Sequence, residues 1–178
     1  MIEKTLFSRE DIQTRLDSLA IEINNYYGDE PILVIPLLRG GFMFASDLIR
    51  RLTMPVEVDF MTTASYGFGK SSTGDVKLYS DLRANVGGKN VLVVDDIIDS
   101  GYTLKFIKEH ISKHNPKSLK LCTMLDKPSR RKVDIKSDFV GFEVDDLFIV
   151  GYGLDYENLY RNKDYIFTFD DIKKERDE

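Results

Sequence analysis

Tryptophan is absent from the 178 residues, and cysteine occurs only once. That lone thiol, Cys122, has no partner for an internal disulfide, and the opening segment MIEKTLFSRED lacks the apolar core of a signal peptide. Both features favour a reducing, cytoplasmic setting. No apolar run approaches the roughly 20 residues that a membrane-spanning helix requires. Basic residues are outnumbered, 25 Lys and Arg against 30 Asp and Glu, for a net charge of −5 and a pI near 5.2. The whole-molecule field therefore gives no reason to expect nucleic acid or an anionic membrane as a partner. What is present is 42% apolar residues, including 11 Phe and 9 Tyr, enough for one domain with a sizeable core.

Local patterns alternate between helix and strand. Ile12, Leu16, Leu19, Ile23 and Tyr27 recur at steps of three and four, with Ser8 as an N-cap and Gly28 as a stop, which predicts a first helix. The run ILVIPLL at residues 32–38 predicts a strand covered on both faces, ending in Arg39-Gly40-Gly41. Residues 42–52 have helical spacing, and 56–63 are strand-like. Residues 65–75, SYGFGKSSTGD, carry Gly and Ser without periodicity and predict a mobile loop. Further strands are expected at 76–79, 91–94, 119–125, 139–144, 148–150 and 165–169, with a helix starting near Thr103 and closed by Pro116. The charged tail from Asp170 predicts a solvated end. Strands alternating with helices imply an α/β fold with a mostly parallel sheet, which binds ligands at the carboxyl ends of its strands.

Residues 91–104, VLVVDDIIDSGYTL, carry the chemistry. A buried strand here delivers three carboxylates and then a glycine-hydroxyl turn to a helix start. Free backbone N–H groups near Asp99 to Thr103, with the helix dipole, can hold a phosphate dianion. Gly101 permits close approach, and the Ser100 and Thr103 hydroxyls can add hydrogen bonds. Asp95 and Asp96 would repel phosphate but suit a ribose diol, whose two hydroxyls donate to acceptor-only carboxylates. An acidic N-cap in a surface turn is the plainer alternative, and it explains Asp99 alone better than it explains the whole segment.

The same segment resembles the type I phosphoribosyltransferases, and more narrowly the hypoxanthine-guanine phosphoribosyltransferases. Four apolar residues, two acids, two apolar residues, Asp, Ser or Thr, Gly, any residue and Thr form their site for phosphoribosyl pyrophosphate (PRPP). The first acid is usually Glu in that family; Asp95 reaches one methylene less far. Other landmarks follow in the family's order along nearly all the chain.

The resemblance implies a twisted, mostly parallel sheet flanked by helices. It implies one domain over 1–178, with a core at about 30–150 and a small hood from the terminal segments. It implies transfer of the phosphoribosyl group from PRPP to an oxopurine base, with Mg²⁺ as cofactor and a homodimer or homotetramer as the assembly. Leu38, Arg39 and Gly40 would form a pyrophosphate loop whose first peptide bond is often cis. Ser65 and Tyr66 would open a lid and touch pyrophosphate, together with Arg161. Asp95, Asp96, Asp99, Ser100, Gly101, Tyr102 and Thr103 would hold the ribose and its phosphate. Asp99 would accept the purine N7 proton. Ile97, Lys127, Phe148, Ile149 and Asp155 would line the base, with Lys127 donating to its exocyclic oxygen. Asp95, Asp96 and Asp155 would hold the metal.

Plainer readings stand beside several of these residues. KPSRRK at 127–132 is also an ordinary basic surface turn, Phe148 is also core packing, and Asp155 is also a turn aspartate. ASYGFGKS at 64–71 falls one glycine short of a phosphate-binding P-loop and lacks the strand-to-helix junction. His110 and His114 have metalloprotease spacing, but Ile111 replaces the glutamate; they are expected to be solvated. A regulatory protein that senses PRPP while binding nucleic acid would need a basic stripe, which this acidic composition does not offer.

Overall fold

The computed structural model describes residues 2–65 and 76–169. Its first half comprises β1 (Glu3–Phe7), α1 (Arg9–Tyr27), β2 (Ile32–Leu38), α2 (Phe42–Ile49), β3 (Val56–Val58), β4 (Met61–Ser65) and β5 (Val76–Ser80). The second half adds β6 (Asn90–Ile98), α3 (Tyr102–Ser112), β7 (Ser118–Asp126), β8 (Phe139–Glu143), β9 (Ile149–Val150) and β10 (Ile166–Phe169).

The main sheet has seven strands. Its order is β5-β4-β2-β6-β7-β8, with β3 also paired to β2; every pair except β4–β5 is parallel. The continuous apolar runs follow from burial on both sides. Ile32, Val34, Leu92, Val94, Cys122 and Met124 face one way and pack on α1 and α2. Their neighbours Leu33, Ile35, Val91, Val93 and Leu121 face the other way and pack on Leu104, Ile107 and Ile111 of α3. With period 2 in the strands and helices on both faces, a polar residue at any of these positions would enter a core.

Ser8 caps α1 as expected, in a reciprocal capping box with Asp11, and Gly28 ends the helix at φ 59°. The strand-like stretch 56–63 divides into β3 and β4. Asp59 lies at the break, where its carboxylate accepts hydrogen bonds from the backbone N–H groups of Phe60, Arg83 and Ala84. β3 pairs with the start of β2 and β4 with its end.

A second sheet, three strands in the order β1-β10-β9, is antiparallel and joins the two ends of the chain. Sequence patterning missed β1, since EKTLF is mostly exposed and its partner β10 lies at the far end of the chain. Val150, Phe167 and Phe169 form a small core there, flanked by Phe148, Tyr156, Tyr160 and Tyr165. His110, expected to be solvated, instead sets Nε2 3.0 and 2.9 Å from the two carboxylate oxygens of Asp81.

Candidate active site

The three central parallel strands β2, β6 and β7 end on the same side of the sheet, and each delivers part of one site. After β2, the Leu38–Arg39 peptide bond is cis, as expected for the turn there. Gly40 then passes so close to β6 that a β-carbon on it would lie 1.6 Å from Asp96 Oδ2. The Arg39 side chain is exposed and reaches Asn158 Oδ1 at 3.4 Å.

β6 carries Asp95 and Asp96 on its last turn of pleat, both half-buried. Burial, and then the adjacent Asp96 charge, push the Asp95 carboxyl well above the usual carboxylate range. Burial raises Asp96 as well, opposed by a hydrogen bond with Asp95, the Ile97 N–H and the nearby Arg161 charge. Such a pair invites a cation or a set of hydroxyl donors.

The turn after β6 supplies anion-binding geometry. Gly101 takes φ 91°, a left-handed conformation, and α3 starts immediately after it at Tyr102, one residue before the predicted position. No side chain caps this helix start, so the N–H groups of its first turn face the loop 99–103 without a side-chain acceptor. A β-carbon at Gly101 would also collide with Ile135 Cγ2 at 2.6 Å.

Beneath that turn lies the segment after β7, which holds it in place. Arg131 donates from Nη1 to the carbonyls of Ile98 and Asp99 (3.3 and 2.5 Å), from Nε to Ile135 O (3.1 Å), and from Nη2 to Asp126. Lys132 N donates to Ser100 O at 2.9 Å. A single 3₁₀ turn, Pro128–Arg130, brings Arg130 Nε within 3.2 Å of Asp99 Oδ1. The basic cluster is thus no free surface turn. Lys127 itself is buried, with its ammonium 2.5 Å from Leu147 O and 4.0 Å from Asp146 Oδ1.

The far wall is the contorted stretch 151–161, where Gly151, Tyr152, Gly153, Glu157, Asn158 and Tyr160 all have positive φ. Arg161 donates to Gly153 O at 2.7 Å and pairs with Asp155 Oδ1 at 2.6 Å. Asp155 Oδ2 accepts the Asn158 N–H at 2.9 Å. Ile149 is buried in the core and paired with Thr168 across the β9–β10 ladder; Ile97 is half-buried against the same core. The Phe148 ring meets Tyr156 edge-on at 5.6 Å in the small second core. Ser65 ends β4, whereas Tyr66 and the rest of the expected lid lie outside the described residues. Arg130, Arg131 and Asp146 were not singled out from sequence. The one signal that could have found them was charge complementarity between KPSRRK and the acids of DDIID.

Residues 4–157 match the phosphoribosyl transferase domain family model. The chain belongs to the phosphoribosyl transferase family. Among other members, the hypoxanthine phosphoribosyltransferase of Haemophilus influenzae is 46% identical over 164 residues, covering 90% of this chain and 92% of that protein. The hypoxanthine-guanine phosphoribosyltransferase of Bacillus subtilis is 48% identical over 165 residues, covering 93% and 92%. A solved hypoxanthine-guanine phosphoribosyltransferase from Bacillus anthracis superposes with TM-score 0.90 at 49% identity, covering 95% of this chain and 99% of that one. A hypoxanthine phosphoribosyltransferase structure from Staphylococcus aureus gives 0.89 at 42% identity, covering 93% and 90%. The mostly parallel sheet with helices on both faces is the phosphoribosyltransferase architecture seen in these neighbours.

Proposed function

We propose that the whole chain works as one phosphoribosyltransferase domain of purine salvage, moving the 5-phosphoribosyl group of PRPP onto hypoxanthine or guanine and releasing pyrophosphate. The observation that carries this reading is the convergence, at one sheet end, of an uncapped helix start after Gly101, the Asp95–Asp96 pair and the buried Lys127. An anion cradle, diol acceptors and a donor for an exocyclic oxygen are what the two substrates require.

In this mechanism the N–H groups and hydroxyls of 99–103 hold the 5-phosphate. Asp99 takes the proton from purine N7 as the ring nitrogen attacks the anomeric carbon. Lys127 donates to the oxygen at position 6, whereas the amino group of adenine would bring donor hydrogens to the same place and offer the ammonium no acceptor. Arg39 and Arg161 supply positive charge for the departing pyrophosphate.

Among the described residues, no three His, Cys, Asp or Glu side chains stand close enough to hold a metal alone. Mg²⁺ does not need such a cage, since it keeps waters and substrate phosphates beside one or two carboxylates. Asp95, Asp96 and Asp155 are the acids that would hold it, and it would neutralise charge growing on pyrophosphate. The raised carboxyls of the Asp95–Asp96 pair fit a cation-binding role.

Initial rates with PRPP and Mg²⁺ and a panel of hypoxanthine, guanine, xanthine and adenine test the reading. Nucleotide and pyrophosphate should form in equal amounts with hypoxanthine or guanine and not with adenine. Equal turnover of adenine, or nucleotide formation without pyrophosphate, would sink it.

A further inference from the structure

Four charged side chains form a line across the floor of the site: Asp99, Arg130, Asp146 and Lys127. Arg130 Nε lies 3.2 Å from Asp99 Oδ1, and its Nη1 lies 3.5 Å from Asp146 Oδ2. The other oxygen of Asp146 is 4.0 Å from Lys127 Nζ. The two ends of this line are the groups assigned above to purine N7 and to the oxygen at position 6, which are neighbours on one edge of the ring system. We propose that Arg130, braced by Asp146, is a positioning residue that sets the Asp99 carboxylate at a fixed offset from the Lys127 ammonium, so that both meet one oxopurine edge together. The inference rests on the roles proposed for Asp99 and Lys127.

Stability does not account for the arrangement. Arg130, Asp99 and Asp146 are 46%, 41% and 47% exposed, and pairs this open contribute little to folding. A guanidinium, by contrast, is a planar fork that fixes the direction of the carboxylates it touches, which a lysine ammonium cannot do. The backbone gives the fork a firm base: Lys127 N donates to Ile98 O at 3.0 Å and Arg130 N to Lys127 O at 3.1 Å, tying the 3₁₀ turn to the end of β6. Asp99 and Lys127 thus share one rigid support, and Arg130 is the side chain that orients the first relative to the second.

Arg130→Gln, Arg130→Lys, Asp146→Asn and the Arg130→Gln/Asp146→Asn pair test this, beside Asp99→Asn as a control. Arg130→Gln should lower kcat roughly ten- to a hundredfold, the size expected for a misplaced reacting group. KM for the base should rise while KM for PRPP stays within about twofold, and Tm should stay within about 3 °C, as an exposed pair implies. Arg130→Lys should restore little. Because Asp146 acts through Arg130, the double variant should be no worse than Arg130→Gln alone. Unchanged kcat and base KM in Arg130→Gln, full recovery with Lys, additive losses, or a loss that tracks Tm would each overturn the proposal. Wild-type turnover by Asp99→Asn would instead remove the reading on which it stands.

Discussion

Gly40 and Asp96 occupy space that leaves no room for a side chain between them: a β-carbon on Gly40 would fall 1.6 Å from Asp96 Oδ2. The obstacle is the mobile end of a side chain, so Gly40→Ala should fold, with Asp96 turned away from the site. We expect Tm within about 3 °C of wild type, since repacking one carboxylate costs about 1 kcal/mol at most, but turnover reduced by roughly a hundredfold as the acid leaves its position. Gly153→Ala is the contrast. Its β-carbon would meet the backbone oxygen of Gly40 at 2.1 Å, and its φ is 103°, so it should lose on the order of 1–3 kcal/mol of stability. Thermal melts and initial rates of the two variants check both halves. Gly40→Ala with full activity would show that Asp96 has no fixed place in the reaction.

Arg131 holds the turn after β6 from below, and its removal should cost stability as well as activity. Its side chain is mostly buried with that of Asp126, and it supplies donors to three backbone carbonyls. Arg131→Met leaves Asp126 without its partner, a loss of about 3–5 kcal/mol, which lowers Tm on the order of 10 °C for a chain of this size. Adding Asp126→Leu removes the stranded charge and should recover much of that loss. It should not restore PRPP affinity, because the Ile98 and Asp99 carbonyls still lack their donor. Calorimetric melts with PRPP titrations separate the two effects; recovery of affinity with stability would show that Arg131 does not shape the turn.

Sequence legibility followed the range of the interactions. β2 and β6 announced themselves because strands buried on both faces are continuously apolar, and the Gly101 turn because close approach favours glycine; its φ of 91° before α3 adds a second reason for that residue. Arg161 had little local signal; its place beside Asp155 and Gly153 follows from the backbone reversals at 151–160. Arg130 was invisible as an individual because a basic turn has the same pattern whether or not an acid faces it. Its partners Asp99 and Asp146 reach it only through the crossing of β6, β7 and the segment after β8. The Ile149 side chain belongs to the core, which its short apolar run FIV is enough to predict.

The Asp95–Asp96 pair makes the ligand-free protein less stable as pH rises. Burial and then the Asp96 charge raise the Asp95 pKa, and burial raises that of Asp96. In the unfolded chain both ionise near pH 4. Between that point and their folded pKa values, the native state binds more protons than the unfolded one, so their stabilising contribution is complete below the unfolded pKa and is lost as pH rises through the folded values. Asp59 has the opposite sign. Burial acts to raise its pKa, but backbone donors from Ala84, Phe60 and Arg83 outweigh it and lower the net value, so its contribution is present at neutral pH and lost on acidification. Because Asp59 is common to both proteins, it cancels when wild type is compared with Asp95→Asn. The variant keeps an oxygen to accept the Asp96 N–H but carries no charge. It should melt above wild type at about pH 8 and converge on it towards about pH 4, while Mg²⁺ with PRPP raises the wild-type Tm more than its own. A variant that melts below wild type at the alkaline end, or a Tm difference independent of pH, would mean that this acidic pair is already stabilised in the empty site and is not held ready for a cation.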